Sequence, residues 1–274
     1  MGLRIATNTA SIAAQRVLSK QQKRAEHSAQ ALASGSRIVN ASDDAAGLAI
    51  SENFKGQLRG ISQARNNANN AISFSQVGEG GLSEVSNILI RLRELGVQAA
   101  SDTVSDVERG FLNNEAQQLI QEADRIAKTT TFGSTKLLDG SGGKLEFHVG
   151  PNGGEDNIIA FEFDADATTS SLGISGIAVD DKSSARDTLE AVDGAISKVG
   201  ALRANFGAMQ SRMESTVSNL DVSYENLSAA NSRIRDTDIA KETAEMASAS
   251  ILQNTAVSVL AQANQLPNVA LKLV

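Results

Sequence analysis

The chain has 274 residues, 41% of them apolar, and a net charge of −7, enough for one or two domains. Aromatic residues make up 3%, with no Trp and a single Tyr, which weighs against an aromatic-lined ligand pocket and for thin helical packing on Ala, Leu, Ile and Val. The acidic balance speaks against nucleic acid, and the lack of cysteine removes disulfides, thiolate nucleophiles and Cys-ligated metals.

Taken in chain order, Met1–Thr9 holds no apolar run, so no secretory signal peptide is expected. Residues 1–34 read as an amphipathic helix on Ile5, Ile12, Leu18, Ala25, Ala29 and Leu32, broken at Gly35-Ser36. Ser42-Asp43-Asp44 reads as a helix start, followed by Phe54, Leu58, Ile61, Ala68 and Ile72. The Gly78–Gly81 cluster is expected to weaken that helix before Leu82, Val85, Leu89 and Leu92 resume the stripe to near Ser101. Ser105 and Glu108 have capping-box spacing and open a short helix on Leu112, Ala116, Leu119, Ala123 and Ile126. From Thr129 the period changes. Leu145–Val149 and Ile159–Phe163 alternate around Gly150-Pro151-Asn152-Gly153-Gly154, which predicts a β-hairpin, and Asp164–Asp181 reads as polar and irregular.

Ser184 and Asp187 have the spacing of another capping box, and a long 3-4 stripe follows. Leu189, Val192, Ile196, Val199, Phe206, Met213, Val217, Leu220, Tyr224, Leu227 and Ile234 make a seam over more than six heptads, roughly 70 Å at about 1.5 Å per residue. A rod of that length needs antiparallel partners from its own chain or from other chains. The last helix carries Ala249, Leu252, Ala256, Val259, Ala263 and Leu266, and Pro267 is expected to end it before an apolar tail. No window reaches about 18 consecutive apolar residues, so no membrane insertion is expected. The fold class that results is mainly α: a long antiparallel helical rod or coiled-coil bundle with a small β-hairpin region at about 129–181.

Enzymatic readings fare badly. His27 and His148 lie far apart, without metal-motif spacing. Gly140-Ser141-Gly142-Gly143-Lys144 lacks the first Gly and the closing Ser/Thr of a phosphate loop, and Asp164 with Asp166 lacks the rest of a calcium loop. No catalytic, cofactor-binding or metal-ligating residue is expected.

Two long strings carry a resemblance. Leu32–Ile38 followed by Ser42–Ser51 resembles the N-terminal signature of bacterial flagellin; Glu225–Asp238, and Ala261–Gln265 near the end, are similar to its C-terminal counterpart. The resemblance covers roughly 1–140 and 185–274 and implies a filament subunit of the short kind, lacking outer variable domains. It implies that 1–44 and 235–274 form an inner filament core and 45–234 a helical rod domain. It further implies self-assembly into a helical polymer, type III export with a chaperone, contact with cap and hook-associated proteins, and an extracellular location in the flagellum. A hook–filament junction protein, or another secreted coiled-coil interaction protein, is the alternative.

The expected assembly seam is Leu189, Val192, Ile196, Val199, Phe206, Met213, Val217, Leu220, Leu227 and Ile234, with Leu252, Val259 and Leu266. Leu89–Gln98 is similar to the stretch that Toll-like receptor 5 reads in many flagellins, with Arg91, Leu95 and Glu115 at its main contacts; the other reading of that stretch is subunit packing. Thr168, Thr169, Ser170 and Ser171 are candidates for O-linked sugars, against the reading of a plain solvated linker. The terminal helices bury too little alone to offset backbone ordering of about 1–2 kcal/mol per residue, so they are expected to fold fully only against other copies.

Overall fold

The computed structural model describes residues 7–271; the side chains of Glu162, Phe163 and 266–271 lie outside the described set. The element order is α1 (Thr9–Ser34), α2 (Ala45–Ala99), α3 (Asp106–Thr129), β1 (Thr131–Phe132), β2 (Thr135–Lys136), β3 (Gly143–His148), β4 (Ile158–Phe163), α4 (Thr169–Leu172), α5 (Lys182–Arg235) and α6 (Ile239–Leu271). The protein is mainly helical, with two small antiparallel strand pairs, β1–β2 and β3–β4. Two compact units are present: 1–56 with 226–274, and 57–225.

In the first unit α1 and α6 pack antiparallel. The Asn8 side chain donates to the Ala263 carbonyl at 2.8 Å, and at the other end the Arg37 amide donates to Arg235 O at 2.7 Å. Asn8 also caps α1 by accepting from the Ser11 amide, and Gly35, at φ +70°, ends it in the left-handed conformation. Asp44 starts α2 by accepting from the Gly47 amide at 2.8 Å. Asp238 does the same for α6 through Ala240 and Lys241. Pro267 does not end α6, which continues to Leu271. A proline in the last turns removes one donor and bends the helix without having to stop it.

In the second unit the 57–99 part of α2 lies antiparallel to α5. Arg65 pairs with Asp221 at 3.0 Å and Arg93 with Asp193 at 2.7 Å, and between them the buried Ser75 hydroxyl donates to Phe206 O at 2.9 Å. The core is Phe74, Leu82, Val85, Leu89, Leu92 and Leu95 of α2 against Val192, Val199 and Phe206 of α5. A second cluster joins Ala68 and Ala71 to Met209, Met213 and the hairpin residues Val149 and Ile159. The hairpin registers Leu145 on Phe161 and Phe147 on Ile159, as the alternation predicts.

Three expectations are corrected here. The Gly78–Gly81 cluster does not interrupt α2, and two of its glycines, Gly78 and Gly81, are close contacts. A Cβ on Gly78 would meet the Phe206 ring at 2.8 Å, and one on Gly81 would meet Leu138 and Thr130 at 2.8 Å, while Gly80 faces open space. Residues 164–181 are not a polar linker, because Ala165, Ala167, Leu172, Ile174 and Val179 are all core. The cap of α5 is Asp181, not Ser184. Its carboxylate accepts from the amides of Ser183 and Ser184 and from both hydroxyls, which holds its pKa down at about 2. The Ser105–Glu108 capping box is present as read.

Arg109 was not singled out by sequence reasoning. It is almost fully buried, and its guanidinium donates to Ala99 O at 2.9 Å and Ser101 O at 3.0 Å, satisfying carbonyls at the end of α2, with Asp106 at 2.6 Å as counter-charge.

Candidate assembly interface

The α1/α6 pair is built inside out. Facing α6, α1 buries Ser11, Ala14, Gln21, Ser28 and Ala31; facing α1, α6 buries Ala249, Ala256 and Ala263. The spacing is the seven-residue repeat of a helix seam, filled with small or polar side chains. Leu18, Leu32 and Leu260 are half-buried, but most of the large aliphatics point away. Ile12 is 59% exposed and Ile251 66%, and Val17, Ile239, Leu252, Val257 and Val259 are also exposed. The helix periodicity was legible, but the stripe read on α1 mixes faces: Ile12 and Ala29 are exposed, whereas Leu18, Ala25 and Leu32 are half-buried.

The expected seam therefore divides. Val192, Val199, Phe206, Met213 and Leu220 are buried in the 57–225 unit, with Leu189, Ile196 and Val217 half-buried beside them. In the 226–274 segment Leu227 and Ile234 are half-buried. Leu252 and Val259 are exposed, because the alanines between them take the contact with α1; Leu266 has a side chain outside the described residues. Gly194, Gly200 and Gly207 of α5 face open space, with nothing in this chain within 4 Å of an added Cβ.

A second surface lies on α2 and α3. The Arg91 guanidinium donates twice to the Glu115 carboxylate, at 2.7 and 2.9 Å, and once to Glu94 at 2.9 Å, which raises its pKa. Leu95 is not on that surface. It is 0% exposed, between Leu92 and Ala99 in the core stripe, while the long Arg91 side chain reaches outward from one turn earlier. Exposed large apolar residues nearby in sequence are Ile90 and Val97 on α2 and Val107 and Phe111 on α3.

Thr168 and Thr169 turn inward. The Thr168 hydroxyl donates to Asp166 at 2.6 Å and caps α4; Thr169 is 9% exposed and donates to Asp124 at 3.1 Å. Ser170 and Ser171 are exposed.

Within one chain the protruding aliphatics of the α1/α6 pair stay uncovered. Residues 5–142 match the bacterial flagellin N-terminal helical region and residues 189–274 the bacterial flagellin C-terminal helical region. A flagellin of Halalkalibacterium halodurans is 43% identical over 88% of this chain and 89% of that protein. The chain belongs to the bacterial flagellins. A flagellar filament 33 kDa core protein of Treponema phagedenis is 36% identical over 97% of this chain and 98% of its own length. The crystal structure of Bacillus cereus flagellin superposes with a TM-score of 0.51 at 28% identity, over 57% of this chain and 88% of that one. As a flagellin, the protein is a structural subunit of the flagellar filament and not an enzyme, and the filament such proteins form is extracellular. The β3–β4 hairpin and α4 fall between the two matched regions.

Proposed function

We propose that residues 1–44 and 235–274 supply the inner core of the filament, with 45–234 as the helical rod domain. The observation that supports this reading is the α1/α6 pair, seven of whose large aliphatics, Ile12, Val17, Ile239, Ile251, Leu252, Val257 and Val259, are exposed in the single chain. Heterologous contacts that do not close on themselves generate open helical polymers, and a long ridge of uncovered Ile, Leu and Val drives them through burial of about 25 cal/mol per Å². The test is deletion of 1–40 or of 240–274, followed by electron microscopy under polymerising conditions. Each truncated chain stays soluble and forms no filaments; long filaments from either would refute the assignment.

Export in an unfolded state with a chaperone over the apolar C-terminal tail, Val269–Val274, and contact with cap and hook-associated proteins at the filament ends complete the reading; the family resemblance supports both. Recognition by Toll-like receptor 5 runs through Arg91 and Glu115, both exposed, with Phe111 one turn before Glu115 as the apolar component in place of the buried Leu95. A receptor reporter assay checks it: the Arg91→Ala, Glu115→Ala pair loses most signalling with little change in thermal stability, and undiminished signalling ends the idea. Ser170 and Ser171 are the acceptors proposed for O-linked sugars, readable by peptide mass spectrometry of secreted filaments.

A further inference from the structure

One side of the α1/α6 pair carries a groove of two chemically distinct halves that share Leu252. The first half, about 330 Å³, is apolar: Ala10, Ala13 and Val17 of α1 against Leu252, Thr255 and Val259 of α6. The second, about 810 Å³, is basic: Arg16, Lys20, Lys23, Arg24 and His27 of α1, with Glu245 the one acid lining it. Among the described residues, none of Arg16, Lys20, Lys23 and Arg24 has a carboxylate partner within 4 Å. Four unpaired cations along one helix are notable in a chain of net charge −7.

The other side of the pair carries a ridge. Ile239, Met246 and Val257 of α6 are separated by seven and eleven residues, steps that return to nearly the same azimuth on a helix of 3.6 residues per turn. They lie about a quarter turn from the Ala249–Ala256–Ala263 seam, on the side away from Leu252, Thr255 and Val259. Glu242, which has no cation partner among the described residues, flanks the acidic end of this ridge. The groove from Ala10 to His27 is about 26 Å long and the ridge from Glu242 to Val257 about 22 Å, at about 1.5 Å per residue.

We propose that the groove of one copy receives the outer ridge of α6 from a second copy, with Glu242 seated among Lys20, Lys23 and Arg24, and Val257 in the apolar half. The inference rests on the reading of α1/α6 as the assembly element and names the contact that element makes. Polarity follows from the chemistry. The groove runs from apolar to basic along α1, and on α6 the acid Glu242 precedes Val257, so seating Glu242 in the basic half and Val257 in the apolar half lays the incoming α6 antiparallel to the receiving α1. It therefore points the same way as the receiving copy's own α6, because α1 and α6 are antiparallel within a copy. Copies so joined share one direction and leave a free groove at one end and a free ridge at the other, the condition for an open helical polymer rather than a closed dimer.

Charge reversal in the full-length chain tests the contact. Lys20→Glu with Arg24→Glu raises the critical concentration for polymerisation, read by sedimentation, by about tenfold or more, with helix content unchanged by circular dichroism. Adding Glu242→Lys to that pair restores assembly to near the wild-type concentration, as a coupled pair requires. A triple variant that assembles no better than the double overturns the proposal, as does a double variant that assembles like wild type. Filaments formed by a chain lacking 1–40 would bring down the assembly reading beneath it, a separate failure with a separate measurement.

Discussion

At the scale of single residues, burial separates roles that spacing alone merges. Arg91 and Leu95 sit one helical turn apart, yet one is exposed and ion-paired and the other is sealed in the core. Leu95→Ala is expected to destabilise the 57–225 unit by about 2–5 kcal/mol, because the cavity cannot collapse between packed helices, whereas Arg91→Ala, at the exposed surface, leaves the melting temperature nearly unchanged. Thermal unfolding of the two variants distinguishes these roles. The glycines divide in the same way. Gly80→Ala gains about 1 kcal/mol from helix propensity, while Gly78→Ala, two residues away, loses about 1–3 kcal/mol because its methyl meets the Phe206 ring. Asp181 has a pH signature. Its pKa in the fold is about 2 against an ordinary 3.8, so its ionised form favours the folded state above about pH 4, and that contribution fades as pH falls from about 4 to about 2. Asp181→Ala therefore lowers the melting temperature near neutral pH, and the difference from wild type closes at about pH 2.

At the scale of elements, legibility followed the size of the side chains in each seam. Along α5 the large residues Val192, Phe206 and Met213 point into the chain's own core, so a 3-4 stripe read from the sequence is also the packed stripe. Along α1 and α6 the same reading mixed two faces: Ala249, Ala256 and Ala263 are the buried seam and Leu18 and Leu32 are half-buried, whereas Ile12, Leu252 and Val259 face outward, because the intrachain seam is filled chiefly by Ala, Ser and Gln. Periodicity reports that a helix has an apolar face; it does not report whether the covering atoms belong to the same molecule. Caps set by short-range geometry were readable at Ser105–Glu108, and the start of α5 shifted to Asp181 because one carboxylate can satisfy two amides where a serine hydroxyl satisfies one. The stretch 164–181 was obscured by its polar composition, although alternate residues Ala165 and Ala167, then Leu172 and Ile174, reach the core.

At the scale of the whole molecule, the two compact units follow different stabilising logics. The 57–225 unit encloses Leu, Val, Phe and Met in a continuous core of its own. The 1–56 with 226–274 unit leaves many of its large aliphatics on its surface, and its α1/α6 seam is built largely on alanine contacts with a few polar ties such as Asn8 to Ala263. Such a unit is stabilised by mass action when copies bind its folded form. Hydrogen exchange of amides in 9–34 and 239–265, compared between dilute subunits and assembled filaments, tests this most directly. Rapid exchange in the isolated subunit and strong protection in the filament are expected, with the 57–225 core protected in both; equal, strong protection of these helices in the dilute subunit would contradict the claim that neighbouring copies complete them.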